Sequence, residues 1–295
     1  MWFAYAVGAA LFFGLRGILY QWTSQRTINR DLMFIGVYIS SAILVLIINL
    51  FVNQTWSNEV WFGVLMGVFS FLANTFLYKG YAVGRASVIA FFSGLTPVIV
   101  VLLAALLWAE KLSPVQLVGF CIIILSLLII RYKRDLQEGT YQGWQFGLLA
   151  IIFYSFTDLS SKQALLNGVS ILPLLTLMFA TSSILFSGAF LINFSGQRPS
   201  SIQVGINKQR EIVNRWTLSK TLCLGIGVGL VNVLAMVLKL AAFNNGVTGV
   251  VSAIIALSVV VVLLYARFYL KESMSRTEMC GVIIAIIGII VVKWM

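Results

Sequence analysis

The sequence predicts an all-α integral membrane protein of ten transmembrane helices arranged as a five-plus-five inverted repeat. Of its 295 residues 60% are apolar and only 10% charged, where a soluble domain carries about a quarter charged residues. Apolar runs of about 20 residues, long enough to cross a ~30 Å hydrocarbon core as helices, recur throughout. The second half also repeats the first: a shift of 162 aligns Glu110 with Glu272, Gly84 with Gly246, Gly119 with Gly281 and Arg131 with Lys293.

The first span, 3–21, has neither a basic segment before it nor a small-residue cleavage site behind it, so it reads as a retained helix. Spans follow at 32–52, 60–82, 86–108 and 114–131, then at 144–166, 171–193, 220–242, 248–270 and 276–294. Two starts carry explicit punctuation. Ser113-Pro114-Val115-Gln116 and Ser275-Arg276-Thr277-Glu278 both fit a capping box, in which the serine oxygen accepts the N3 amide and the Gln or Glu side chain returns to the N-cap amide. Pro114 suits the first helical position, where a missing N–H does no harm. The connections are short except "RYKRDLQEGTYQG" and "FSGQRPSSIQVGINKQREIVNRWTLS", so no extramembrane domain is expected.

Spans one and six align at a smaller shift of 141, pairing "LFFGLRGILYQ" with "IFYSFTDLSSK". The difference between the shifts, 21 residues, matches the surplus length of the loop after the seventh span. The repeats are therefore drawn at 1–134 and 135–295 within one membrane domain. Five spans is an odd number, so the second copy lies upside down relative to the first. That is the arrangement of carriers that expose a midplane site alternately to the two sides.

A net charge of +11 in a soluble protein would suggest a nucleic-acid partner. Here most Lys and Arg fall in short loops, where they report orientation, and no nucleic acid is expected. With the N-terminus outside, fourteen of them lie in cytoplasmic loops and only Lys111, Lys162 and Lys293 on the opposite side. Both termini are therefore expected outside. Cys121, Cys223 and Cys280 lie inside apolar runs and histidine is absent, so neither disulfides nor a metal site nor a cofactor is expected.

The stretches "YAVGRASVIAFFSGLTPVIV" with "AEKLSPVQLVG", and "FNNGVTGVVSAIIALSVVVV" with "KESMSRTEMCG", resemble the drug/metabolite transporter superfamily, specifically its EamA-type members. The shared features are a small-residue turn before the fourth span, Pro97 within it, and Glu with Ser before the fifth. A lysine common late in the first span of each half matches Lys162, whereas the first half has Gln21, and Val259 stands where the first half has Pro97. The resemblance implies a secondary transporter or exporter of small metabolites, amino acids or related organic solutes, in a plasma or inner membrane.

Ionisable groups deep in a span are costly and face a cavity or a partner. At 1.5 Å per residue, Arg16 lies about 6 Å and Asp158 about 4 to 5 Å from the midplane. Arg16 has no acid at helical spacing in its own span and is expected to bind an anionic group of the substrate. Asp158 and Lys162, spaced i,i+4, are expected to pair along one helix face. They are the candidate coupling residues, Asp158 holding and releasing a proton as that contact breaks and reforms. Lys79, Lys239, Lys162 and Arg267 lie about 10 to 12 Å out, where snorkelling to the headgroups is expected. Neutral polar residues complete the candidate pocket: Ser70 and Asn74 on one face of the third span, Asn232 equivalent to Ser70, and Thr96 equivalent to Ser258. Pro97 frees the Ser93 carbonyl from its usual helix bond and adds an acceptor. Gly225, Gly227 and Gly229 are expected to permit close helix packing.

The alternatives to a carrier are a non-transporting membrane scaffold and an intramembrane enzyme. Against an enzyme stand the absent histidine, the missing hydrolase and metalloprotease motifs, and the lack of paired intramembrane carboxylates. No ATP-binding motif occurs, so concentrating power would come from an ion gradient, protons through Asp158 being the candidate, or from exchange. The solute, the direction and the oligomeric state stay open.

Overall fold

The computed structural model describes residues 1–24, 28–83, 95–135, 143–196, 218–269, 271 and 275–294. Helices α1 (Trp2–Ser24), α2 (Arg30–Val52), α3 (Phe62–Val83), α4 (Thr96–Trp108) and α5 (Pro114–Asp135) form the first half, with a 3-10 turn at Asn58–Trp61 leading into α3. The second half holds α6 (Trp144–Leu166), α7 (Ile171–Gly196), α8 (Leu218–Asn245), α9a (Thr248–Ala256), α9b (Ser258–Phe268) and α10 (Arg276–Lys293). The fold is the ten-helix inverted repeat read from the sequence. Both capping boxes form. Ser275 accepts from Glu278 N while the Glu278 side chain takes the Ser275 amide, and Gln116 Oε1 accepts Ser113 N at 2.9 Å.

Among the described residues six stretches are long and apolar enough to cross a membrane. The described apolar helices Thr96–Trp108 and Pro114–Ile130 are shorter, and the remaining two spans carry polar groups. Helix α6 carries a polar stripe that includes Asp158 and Lys162, and α10 carries Arg276, Glu278 and Lys293. One boundary departs from expectation: the ninth span is two helices, broken at Leu257 (φ −68°, ψ −1°). Its counterpart at a shift of 162 is Leu95, with φ −89° and ψ −2°, which caps the described start of α4. At both leucines the amide three residues on returns to the leucine carbonyl, Val98 N at 3.0 Å and Val260 N at 2.8 Å. Ser93 and the rest of 84–94 lie outside the described residues.

The same correspondence governs packing. Gly225 lies so close to α2 that an added Cβ would stand 2.6 Å from Met33 O, and Gly63 so close to α7 that one would stand 2.5 Å from Leu174 O. Gly63 maps to Gly225 by 162 and Met33 to Leu174 by 141, so these are one contact made twice. One helical turn on, Ser41 Oγ donates to Gly229 O at 3.1 Å and Ser182 Oγ donates to Gly67 O at 3.0 Å. Between α5 and α10 the relation is reciprocal within one interface: Gly119 faces Val292 and Gly281 faces Ile130. Ala109 and Lys271, again 162 apart, both adopt left-handed backbone at φ 51° and 57°, a conformation that is uncommon without glycine. Gly225 and Gly229 thus serve close packing as expected. Gly227 does not: a Cβ there would meet nothing within 4 Å.

Candidate functional site

Polar side chains on α1, α2, α3, α6, α8 and α9a converge between the two halves. Helix α6 supplies Tyr154, Asp158 and Lys162 at i, i+4 and i+8, one face of a 3.6-residue helix. Helix α8 supplies Asn232 and Lys239 two turns apart, about 10 Å along its axis. The two helices run in the same direction, so these stripes meet in register.

In the central layer, Arg16 Nη1 donates to Asn232 Oδ1 at 2.7 Å. The guanidinium lies 4.6 Å from the Phe13 ring centroid and 5.5 Å from that of Tyr20. Tyr20 and Tyr38 both stand within its electrostatic reach. Arg16 Nε is buried with no hydrogen-bond partner. Tyr38 ties this group to the neutral network: its hydroxyl shares a hydrogen bond with Ser70 Oγ at 2.9 Å and accepts from Asn74 Nδ2 at 3.1 Å. Tyr154 donates to Asn74 Oδ1 at 2.9 Å. The structure therefore brings Arg16, Asn232, Ser70 and Asn74 together. Ser258 sits instead just after the break at Leu257 and Thr96 at the described start of α4, where its carbonyl accepts Ser155 Oγ at 3.5 Å.

The next layer corrects the expected Asp158–Lys162 pair. Asp158 Oδ1 is ion-paired with Lys239, and Oδ2 accepts Ser252 Oγ at 2.8 Å. Lys162 Nζ turns to the end of α8, donating to Phe243 O at 2.7 Å and Gly246 O at 3.2 Å. The physical reason is a competition for donors. The last carbonyls of α8 have no intrahelical partner, whereas Asp158 is already satisfied on both oxygens. Lys239 and Lys162 are also buried rather than snorkelling, while Lys79 and Arg267 are exposed. Helical side chains lean toward their own N-terminus, which carries the Lys239 ammonium back from the end of α8 to the depth of Asp158. That lean was the available signal for this pair. Tyr38, Tyr154 and Ser252 went unread because a lone hydroxyl in an apolar span carries no spacing signal of its own.

At the end of the bundle, Glu110 Oε1 accepts Thr248 N at 3.0 Å and the Thr248 hydroxyl at 3.4 Å, so it caps α9a. Beside it Trp108 Nε1 donates to Gln163 Oε1 at 2.7 Å. Among the described residues no group of three or more Cys, Asp and Glu is placed to hold a metal ion.

Comparison with known proteins then fixes the family. The sequence profile of the EamA-like transporter family matches residues 1–132 and again 142–294. The chain belongs to that family. It is a multi-pass integral membrane protein of a transporter family rather than an enzyme family, in keeping with its spans and its two matched segments. A solved structure titled only "Crystal structure of protein" is similar with a TM-score of 0.77 at 13% identity, covering 99% of this chain and 98% of that one. At that identity the likeness speaks for the fold alone. Among curated proteins no sequence matches.

Proposed function

We propose that the chain is a secondary transporter of small organic solutes that carry an anionic group, working by alternating access in the plasma or inner membrane. The observation that carries this reading is Arg16. Its guanidinium is always charged and presents a planar fork of donors suited to carboxylate. Here one nitrogen is held by the neutral Asn232, rings flank the group, and the buried Nε has no acceptor. An unmet donor on a partly buried cation favours an arriving anion, because pairing ends the cost of leaving it unsatisfied. Tyr38, Ser70, Asn74 and Tyr154 supply neutral hydrogen-bonding groups for the rest of a solute. Amino acids and related compounds fit this combination, and with no ATP-binding motif the driving force is an ion gradient or exchange.

The test is solute counterflow in proteoliposomes with a panel of labelled amino acids and organic acids, each competed by its uncharged amide. Carboxylates are expected to compete and amides not. Arg16→Lys is expected to weaken apparent affinity about tenfold through loss of the bidentate fork, about 1.4 kcal/mol. Equal competition by the amides, or unchanged affinity in a well-expressed Arg16→Gln variant, would overturn the reading.

A further inference from the structure

The junction between α8 and α9a is gripped from two sides by opposite charges. Lys162, from α6, holds the carbonyls of Phe243 and Gly246 where α8 ends. Glu110, from the α4–α5 connection, holds the amide and hydroxyl of Thr248 where α9a begins. Each charge has the sign that its helix terminus favours. Glu110 stands within electrostatic reach of Lys162, and its Oε2 is buried with no donor. Backbone carbonyls at a helix end, a threonine hydroxyl and a carboxylate with a spare oxygen form the oxygen-rich surroundings that bind a hard cation. In this chain the cation is the lysine's own ammonium.

We propose that Lys162 is the built-in coupling cation of the carrier. As an ammonium it locks the α8–α9a junction shut. When it gives its proton to the aqueous phase at that end, its hydrogen bonds to the Phe243 and Gly246 carbonyls lose their charge assistance, the hold weakens and the junction opens. The step is a proton transfer alone, R–NH3+ becoming R–NH2 plus H+, with nothing oxidised or reduced. Lysine suits the role because its charge, unlike arginine's, is removable in a buried setting.

Among the described residues the ionisable groups around Lys162 are few, and α1, whose Trp2 ring stands against Gly246, brings the Met1 α-amino group and Tyr5 to the same end of the bundle. Glu110 faces it from the α4–α5 connection. Asp158, one turn away on α6, and Lys239, from α8, neutralise each other. Helix α9a and the described part of α4 carry no ionisable side chain, and Lys79 on α3 is exposed near the opposite end. The repeat sharpens the assignment. Glu110 maps to Glu272, but Lys162 maps to Gln21, which can donate hydrogen bonds and cannot titrate. By these correspondences the lysine occurs in the second half of the sequence and is replaced by glutamine in the first.

This inference rests on the transporter reading but is tested without a solute. Hydrogen–deuterium exchange of the purified, detergent-solubilised protein would be followed across residues 243–251 between about pH 5 and pH 10, after correction for intrinsic exchange. Wild-type protection there is expected to fall about tenfold or more as pH rises, a local opening rather than global unfolding. Lys162→Arg, whose charge cannot be removed, is expected to stay protected throughout. Lys162→Gln, which installs the first repeat's residue, is expected to show a flat profile. A wild-type profile that is flat, or one that either variant reproduces, would overturn the proposal. In that event counterflow of solutes, measured separately, would leave the transporter reading standing.

Discussion

The shell of this molecule obeys its repeat and the polar interior does not. Where α2 packs on α8, and α7 on α3, the same glycines, the same close approach and the same serine-to-carbonyl hydrogen bond occur twice. In the interior the correspondences carry the charges onto uncharged partners: Arg16 onto Thr157, Asp158 onto Gly17, Lys162 onto Gln21 and Lys239 onto Leu77. Tyr38 maps to Phe179 and Asn74 to Met236, while Asn232 finds a neutral polar counterpart in Ser70. Packing constrains both copies alike, because either half must dock on the other. On the proposed transporter reading, a solute site between two inverted halves needs only one copy of each group.

The largest effect expected from testing this contrast lies in the interior. Asp158→Asn leaves the Lys239 ammonium buried and unpaired and is expected to cost about 3 to 5 kcal/mol, read as a fall in unfolding midpoint in detergent. Adding Lys239→Met to Asp158→Asn is expected to restore most of the loss, while the equivalent site at Gly17 and Leu77 offers no such pair to break. A double variant no more stable than the single would mean that the pair is not what holds α6 to α8.

The shell should respond twice and equally. Gly229→Ala and Gly67→Ala each force a methyl against the neighbouring backbone, 2.7 Å from Val37 O and 2.7 Å from Met178 O respectively. Each is expected to lose about 1 to 3 kcal/mol by overpacking, and Gly227→Ala, which meets open space, to lose nothing. Costs at 67 and 229 that differ by more than about 1 kcal/mol would show the two interfaces to be alike in geometry only. The smallest effect belongs to Ser41→Ala and Ser182→Ala, about 0.6 kcal/mol each for one interhelical hydrogen bond in a membrane protein. Matched losses in the same unfolding assay are expected, and a cost at one site alone would break the equivalence.

The same contrast explains what could be read in advance. Repetition is a signal that survives without neighbours, so the two shifts, the capping boxes and the packing role of Gly225 and Gly229 were legible along the chain. The interior was legible only in composition. Arg16, Asn232, Ser70 and Asn74 stood out as polar residues in apolar spans, but the expected partner of Asp158 was its i,i+4 neighbour. The actual partners, Lys239 and Ser252, come from other helices, and linear spacing has no access to the unpaired carbonyls at the end of α8 that draw Lys162 away. The break at Leu257 was also hidden, since no glycine or proline marks it.

That unmarked break has a mechanical implication. In the fourth span Pro97, in the first turn of α4, carries no amide to donate. In the ninth, Val259 occupies the equivalent position and keeps its N–H. Nothing in the chemistry of the ninth span prevents α9a and α9b from annealing into one continuous rod, which would lengthen that lever by joining its two short arms.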